Sequence, residues 1–235
     1  MNAAKKVFEA IAFVLTIWLV GLLLGPPLLY FRMRGKIRFR GLERLAPHKG
    51  RGILIVSNHP SLIETVLLPF MFFPACLVRP FHLVPWSTPD RANIMAQWYT
   101  RIFRHGRMIM IDREPGTKAR NAGALRKILT ALAHRESVVL FAEGGRTHKR
   151  PERTVSPKGN ELGRFSKSIE FILRNARCVV VPVWVKGAAA VLPPGHFIPD
   201  FRGGKEIEIR IGRPIESVIS AESLERTLLA LADEP

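Results

Sequence analysis

The sequence predicts an α/β protein: a single mixed, largely parallel β-sheet flanked by helices, with an N-terminal hydrophobic membrane-anchoring helix. Short apolar runs bounded by turn residues recur along the chain, and helix-period segments lie between several of them. Strands alternating with helices are the pattern of a sheet covered on its faces. The third observation is one long uncharged stretch near the start. With 235 residues, 47% of them hydrophobic, the chain can bury a sizeable core.

The uncharged stretch covers residues 10–31 (AIAFVLTIWLVGLLLGPPLLYF). As one helix it would be roughly 33 Å long, about one hydrocarbon core. Pro26 and Pro27 are expected to interrupt it, leaving a clean helix of roughly 24 Å over residues 10–25. No small-residue cleavage site follows, which argues against a removed signal peptide. The next stretch, RMRGKIRFR at 32–40, is strongly basic and should stay on the cytoplasmic side against anionic headgroups. Within it Ile37 and Phe39 alternate with Lys36, Arg38 and Arg40 at strand period. The expected division is a membrane anchor at 1–31 and a folded domain at 32–235, at the inner membrane and facing the cytoplasm.

Strands are expected at residues 52–57 (GILIVS), 108–111 (MIMI), 137–142 (SVVLFA), 178–185 (CVVVPVWV) and 207–211 (IEIRI). Helices are expected at 121–133, 164–175 and 221–232, where apolar residues recur on one face. Lys and Arg number 36 against 19 Asp and Glu, a formal charge of +17. Such an excess suits anionic partners. The basic residues are spread along the chain without a nucleic-acid motif, so no nucleic acid is expected as partner. The two cysteines, Cys76 and Cys178, have no metal-ligand spacing and read as reduced thiols. No metal is expected.

Chemistry concentrates at two strand ends. Asn58-His59-Pro60-Ser61-Leu62-Ile63-Glu64 follows the first apolar strand, and Pro60 suits the first position of a helix. His59 then sits at the corner, with Glu64 folding back within reach. A His whose tautomer is fixed by a carboxylate can take a proton from a hydroxyl. Phe141-Ala142-Glu143-Gly144-Gly145-Arg146-Thr147 ends another strand. Gly144 and Gly145 let the backbone approach a ligand and offer N–H groups to an anion, and Arg146 adds a forked cation. Lys149, Arg150, Arg153 and Lys158 add positive field. Asp112-Arg113 follows the 108–111 strand.

Taken together, the chain resembles the PlsC-type glycerolipid acyltransferases, which acylate 1-acylglycerol-3-phosphate. NHPSLIE stands beside the family's NH-x4-D, GRMIMIDR beside G-x-I-F-I-D-R, FAEGGRT beside F-P-E-G-T-R-S, and VVVPVWVKG beside a strand ending V-P-V. The resemblance covers roughly residues 35–216, with the four blocks in the family's order. It implies a domain at 32–235 with His59 as general base and Glu64 as its partner. It implies that Arg113, Glu143, Gly144 and Arg146 contact a phosphate-bearing acceptor, a lysophospholipid. Asn58 and Pro182 would support the site, and backbone N–H groups near the 141–147 block or Lys167 could stabilise the oxyanion. Acyl-CoA or acyl-carrier protein would be the co-substrate, with no cofactor. Three departures stand out: Glu64 for Asp, Ala142 and Gly145 for Pro and Thr, and Gly106 one residue farther from Arg113. Glycerol-3-phosphate, a lyso-ornithine lipid or a glycolipid remain open as acceptors. A thioester hydrolase or a non-enzymatic lipid-binding module would share parts of the pattern.

Overall fold

A computed structural model describes residues 3–45, 51–95, 106–112, 117–196, 198–217 and 219–235. Helix α1 (Ala3–Met33) leads into strand β1 (Ile37–Arg40), a 3-10 turn (Leu42–Leu45) and β2 (Gly52–Ser57). Short helices α2 (Glu64–Leu67), α3 (Ala75–Val78) and α4 (Pro80–Leu83) precede β3 (Trp86–Ser87) and α5 (Arg91–Met95). Then come α6 (Lys118–Ala133), β4 (Ser137–Phe141), the pair β5 (Arg153–Val155) and β6 (Glu161–Gly163), and α7 (Lys167–Asn175). Strand β7 (Cys178–Lys186), α8 (Ala188–Val191), β8 (Ile207–Ile211) and α9 (Ala221–Asp233) complete the order.

The main sheet runs β1-β8-β7-β2-β4-β3. All neighbours are parallel except β7 and β8. The mixed, largely parallel sheet is therefore as expected. Strand β2 is buried at every position, which is why it reads as an uninterrupted apolar run. Its side chains alternate between two cores: Leu54 and Val56 pack among α6, α7 and α9, while Ile53 and Ile55 face the other side. Cys76 and Cys178 are free and buried, and burial pushes the Cys178 thiol up to about 11.

Two expectations need correction. Helix α1 does not stop at Pro26 and Pro27 but continues to Met33. The prolines remove two donors, yet their fixed φ suits a helix, and the turn beyond them is docked. Phe31 stacks on Phe201 with centroids 4.1 Å apart, Leu28 and Phe31 pack against the core, and the Lys36 N–H reaches the Phe31 carbonyl at 2.8 Å. Second, residues 108–111 make isolated parallel bridges to Ser87 and Asp90 rather than a continuous strand. The partner segment contains Pro89, which accepts from the Ile111 N–H through its carbonyl but has no N–H to return.

Helix α1 lies on the domain. Phe13, Ile17 and Val20 pack with Phe70, Cys76 and Val84. Its other side exposes Val7, Phe8, Ile11, Leu15, Trp18, Leu19, Leu22 and Leu23, and Val7–Met33 is long and apolar enough to cross a bilayer.

Candidate active site

Strands β2 and β4 are parallel neighbours in a register that sets Ser57 opposite Phe141. Their C-terminal ends therefore deliver Asn58-His59 and Ala142-Glu143 side by side. In an open parallel sheet this edge is where ligands gather.

Five side-chain contacts shape the turn that carries His59. The Asn58 amide closes a two-bond pair with Val185: Nδ2 donates to the carbonyl at 3.0 Å and Oδ1 accepts the N–H at 2.8 Å. That side chain thus prolongs the β2–β7 ladder past the end of β2. Ser61 Oγ donates to the Leu192 carbonyl at 2.6 Å, and the Ser61 N–H donates to Glu64 Oε1 at 2.8 Å. The same carboxylate oxygen lies 2.7 Å from His59 Nδ1. Helix α2 accordingly starts at Glu64, not at Pro60, because residues 58–63 are used as a bend that folds His59 back over the helix start. The sequence expectation of a helix from Pro60 is corrected there, while the His59–Glu64 contact it was meant to explain is present.

The pair is buried: Glu64 is 0% and His59 6% exposed. The His59 ring stacks on Phe141 at 4.3 Å and 21°. Nδ1 is the ring nitrogen engaged by Glu64, and in the tautomer that donates from Nδ1 the Nε2 lone pair can accept a proton. Glu64 Oε2 is buried without a hydrogen-bond partner.

Glu143, which the resemblance implies as an acceptor contact, is engaged by the protein itself. It is 0% exposed, and protein donors reach both its oxygens. The His59 N–H donates to Oε1 at 2.7 Å, Thr147 Oγ1 to Oε1 at 2.9 Å, and the Gly163 N–H to Oε2 at 2.8 Å. The Thr147 N–H returns to the His59 carbonyl at 2.9 Å. Burial pushes the Glu143 carboxyl pKa up, and these donors pull against that shift. Glu143 is thus a clamp joining the His59 bend, the 143–147 turn and β6.

Gly144 adopts φ +70, a left-handed conformation suited to glycine, and its N–H is taken by the Phe141 carbonyl at 3.1 Å. Of the two glycines expected to offer N–H groups, Gly145 is therefore the one left available. The half-buried Arg146 guanidinium makes no hydrogen bond or ion pair within the described residues. Lys167 is the exposed first residue of α7. Burial, then repulsion from Arg146, Lys149 and Arg153, pushes the His148 pKa down. Pro182 lies opposite Val56 in β7, and its carbonyl accepts the Gly212 N–H at 2.8 Å. Arg113 lies outside the described residues. Sequence reasoning missed Thr147, Gly163 and Ser61 as supports; Thr147 and Ser61 lie inside the motifs, but nothing local marks Gly163.

The acyltransferase family profile matches residues 36–186, more than half of the chain, from β1 through β7. No curated protein matches the sequence. Among solved structures, the crystal structure of the 1-acyl-sn-glycerophosphate (LPA) acyltransferase PlsC from Thermotoga maritima is similar, with a TM-score of 0.54. The two share 17% sequence identity over 98% of this chain and 95% of that chain, so the likeness is one of fold.

Proposed function

The chain belongs to the acyltransferase family, and from that premise we propose that it moves a fatty acyl group from acyl-CoA or acyl-carrier protein to a lysophospholipid hydroxyl. The acceptor proposed is 1-acylglycerol-3-phosphate, giving phosphatidic acid. The observation that carries this reading is the 2.7 Å contact between His59 Nδ1 and Glu64 Oε1 at the sheet edge. His59 Nε2 takes the proton of the acceptor hydroxyl as its oxygen attacks the thioester carbonyl, and Glu64 stabilises the imidazolium that forms. The tetrahedral oxyanion draws on N–H groups of the 143–147 turn, Gly145 foremost, or on Lys167. Collapse expels the thiolate, which leaves as the carrier thiol once protonated by the imidazolium.

Arg146, unpaired among the described residues and beside the Gly144–Gly145 turn, is the proposed partner of the acceptor phosphate, with Arg113 as a second cation. Helix α1, with its apolar outer face, and the basic stretch after it would hold the domain on a phospholipid membrane where such an acceptor resides. A cytoplasmic-facing inner-membrane location fits this arrangement.

Acceptor dependence tests the reading. Purified full-length protein should release free carrier thiol from labelled acyl-CoA or acyl-carrier protein only when 1-acylglycerol-3-phosphate is added, with the label appearing in phosphatidic acid. Thiol release at the same rate without any lipid acceptor would mean hydrolysis and would refute it.

A further inference from the structure

A cavity of about 390 Å³ opens between α6 and α7 beside the end of β4. That volume is within the range of small-molecule sites. Its apolar wall includes Leu140, Ile128 and Ile172, and its polar wall includes Arg150, Ser166 and Ser168. Two carboxylates also border it, and both are already engaged. Asp112 is paired with Arg91 at 3.0 Å and Arg120 at 3.5 Å, and Glu143 has its three protein donors.

Arg150 is the unengaged charge. Its Nε is buried with no hydrogen-bond partner, and its guanidinium enters no ion pair among the described residues. The Nε is sealed from solvent, so it is the outer guanidinium nitrogens, with no hydrogen bond or ion pair among the described residues, that an anion entering the cavity would meet. The side chain is held there by packing: a Cβ added at Gly163 would meet Arg150 Cγ at 2.6 Å, so only glycine at 163 leaves room for this stem. Ser166, the N-cap of α7, makes no side-chain capping bond, and Ser168 lies in the first turn. Both hydroxyls remain available to a ligand oxygen, and the N-terminal end of a nine-residue helix adds positive potential.

We propose that Arg150, together with the Ser166 and Ser168 hydroxyls, binds a phosphate monoester at the mouth of this cavity, with the attached apolar part lying against Leu140, Ile128 and Ile172. It rests on the transferase reading only in that a substrate of that reaction supplies the phosphate. Two sources carry this chemistry: the headgroup of a single-chain lysophospholipid and the 3′-phosphate of CoA. Arg150 and Arg146 are the two residues that flank the 3-10 turn Thr147–Lys149, and of the two it is Arg150 that lines this cavity.

Calorimetric titration of the full chain separates the cases, because it reads binding without turnover. The ligands are a water-soluble short-chain 1-acylglycerol-3-phosphate, the matching monoacylglycerol, CoA and dephospho-CoA. The wild type should bind at least one phosphate-bearing member more tightly than its dephosphorylated counterpart. Arg150→Met keeps the aliphatic stem over Gly163 and should weaken that ligand by about tenfold or more, the scale of a lost charged hydrogen bond. The dephosphorylated counterpart should bind as before, Arg150→Lys should recover part of the loss, and Arg174→Ala, removing a cation on the outer side of α7, should change nothing. Which pair responds identifies the source. Unchanged affinity in Arg150→Met, an equal loss for both members of a pair, or no phosphate preference in the wild type would overturn the assignment. Absence of acyl transfer would count against the proposed reaction and leave this result standing.

Discussion

At position 59 the ring and the main chain are held by different carboxylates. Glu64 Oε1 faces the ring Nδ1, and Glu143 Oε1 takes the main-chain N–H. One carboxylate engages the ring and the other fixes where the ring is carried. Glu143→Gln keeps the size of the side chain but puts an NH2 group among three donors. Whichever way the amide turns, at least one donor faces another donor. The expected result is a loss of about 1–3 kcal/mol of stability, measured by urea unfolding, from the orphaned buried groups. A variant as stable as the wild type would show that the clamp is dispensable. His59 and Glu64 were legible in the sequence because their contact is local, five residues apart across one bend. The position of Glu143 was legible, but its work was not. Its third donor comes from Gly163, twenty residues downstream in β6, and no spacing rule connects the two.

Helix α1 illustrates what holds for elements. Its composition revealed an apolar helix, but not that the helix lies against the domain. Gly21 and Gly25 bring its backbone against Leu77 and Phe73, and a Cβ at Gly21 would meet Leu77 Cδ2 at 2.5 Å. Trp18 Nε1 donates to the Leu77 carbonyl at 3.0 Å. The seam is thus close-packed, and Gly25→Leu would drive a side chain into the Phe73 ring. Overpacking of this kind costs about 1–3 kcal/mol, so the variant should melt several degrees lower in detergent than the wild type. An unchanged melting temperature would mean that α1 hangs free of the domain. The same limit on sequence reasoning explains the 108–111 segment. Its apolar run fits a strand, but the outcome was decided by a proline in its partner, Pro89, which no property of residues 108–111 encodes. Strands β2 and β8 were legible to the residue: β2 is buried throughout and reads as an apolar run, while β8 alternates its isoleucines with Glu208 and Arg210, which pair with each other at 2.9 Å.

For the molecule as a whole, three features converge: a formal charge of +17, an apolar face on α1, and the His59–Glu64 pair at the sheet edge. In the proposed reading the first two hold the protein at its lipid and the third performs the chemistry, and they depend on different residues. His59→Ala removes the imidazole without touching α1 or altering the charge carried by Lys and Arg. The direct measurement is transfer of label from acyl-CoA or acyl-carrier protein to 1-acylglycerol-3-phosphate by this variant, with binding to anionic phospholipid vesicles followed in the same preparation. The account predicts that kcat falls by about 10² or more while vesicle binding is unchanged. Transfer at the wild-type rate by a vesicle-bound His59→Ala protein would contradict it.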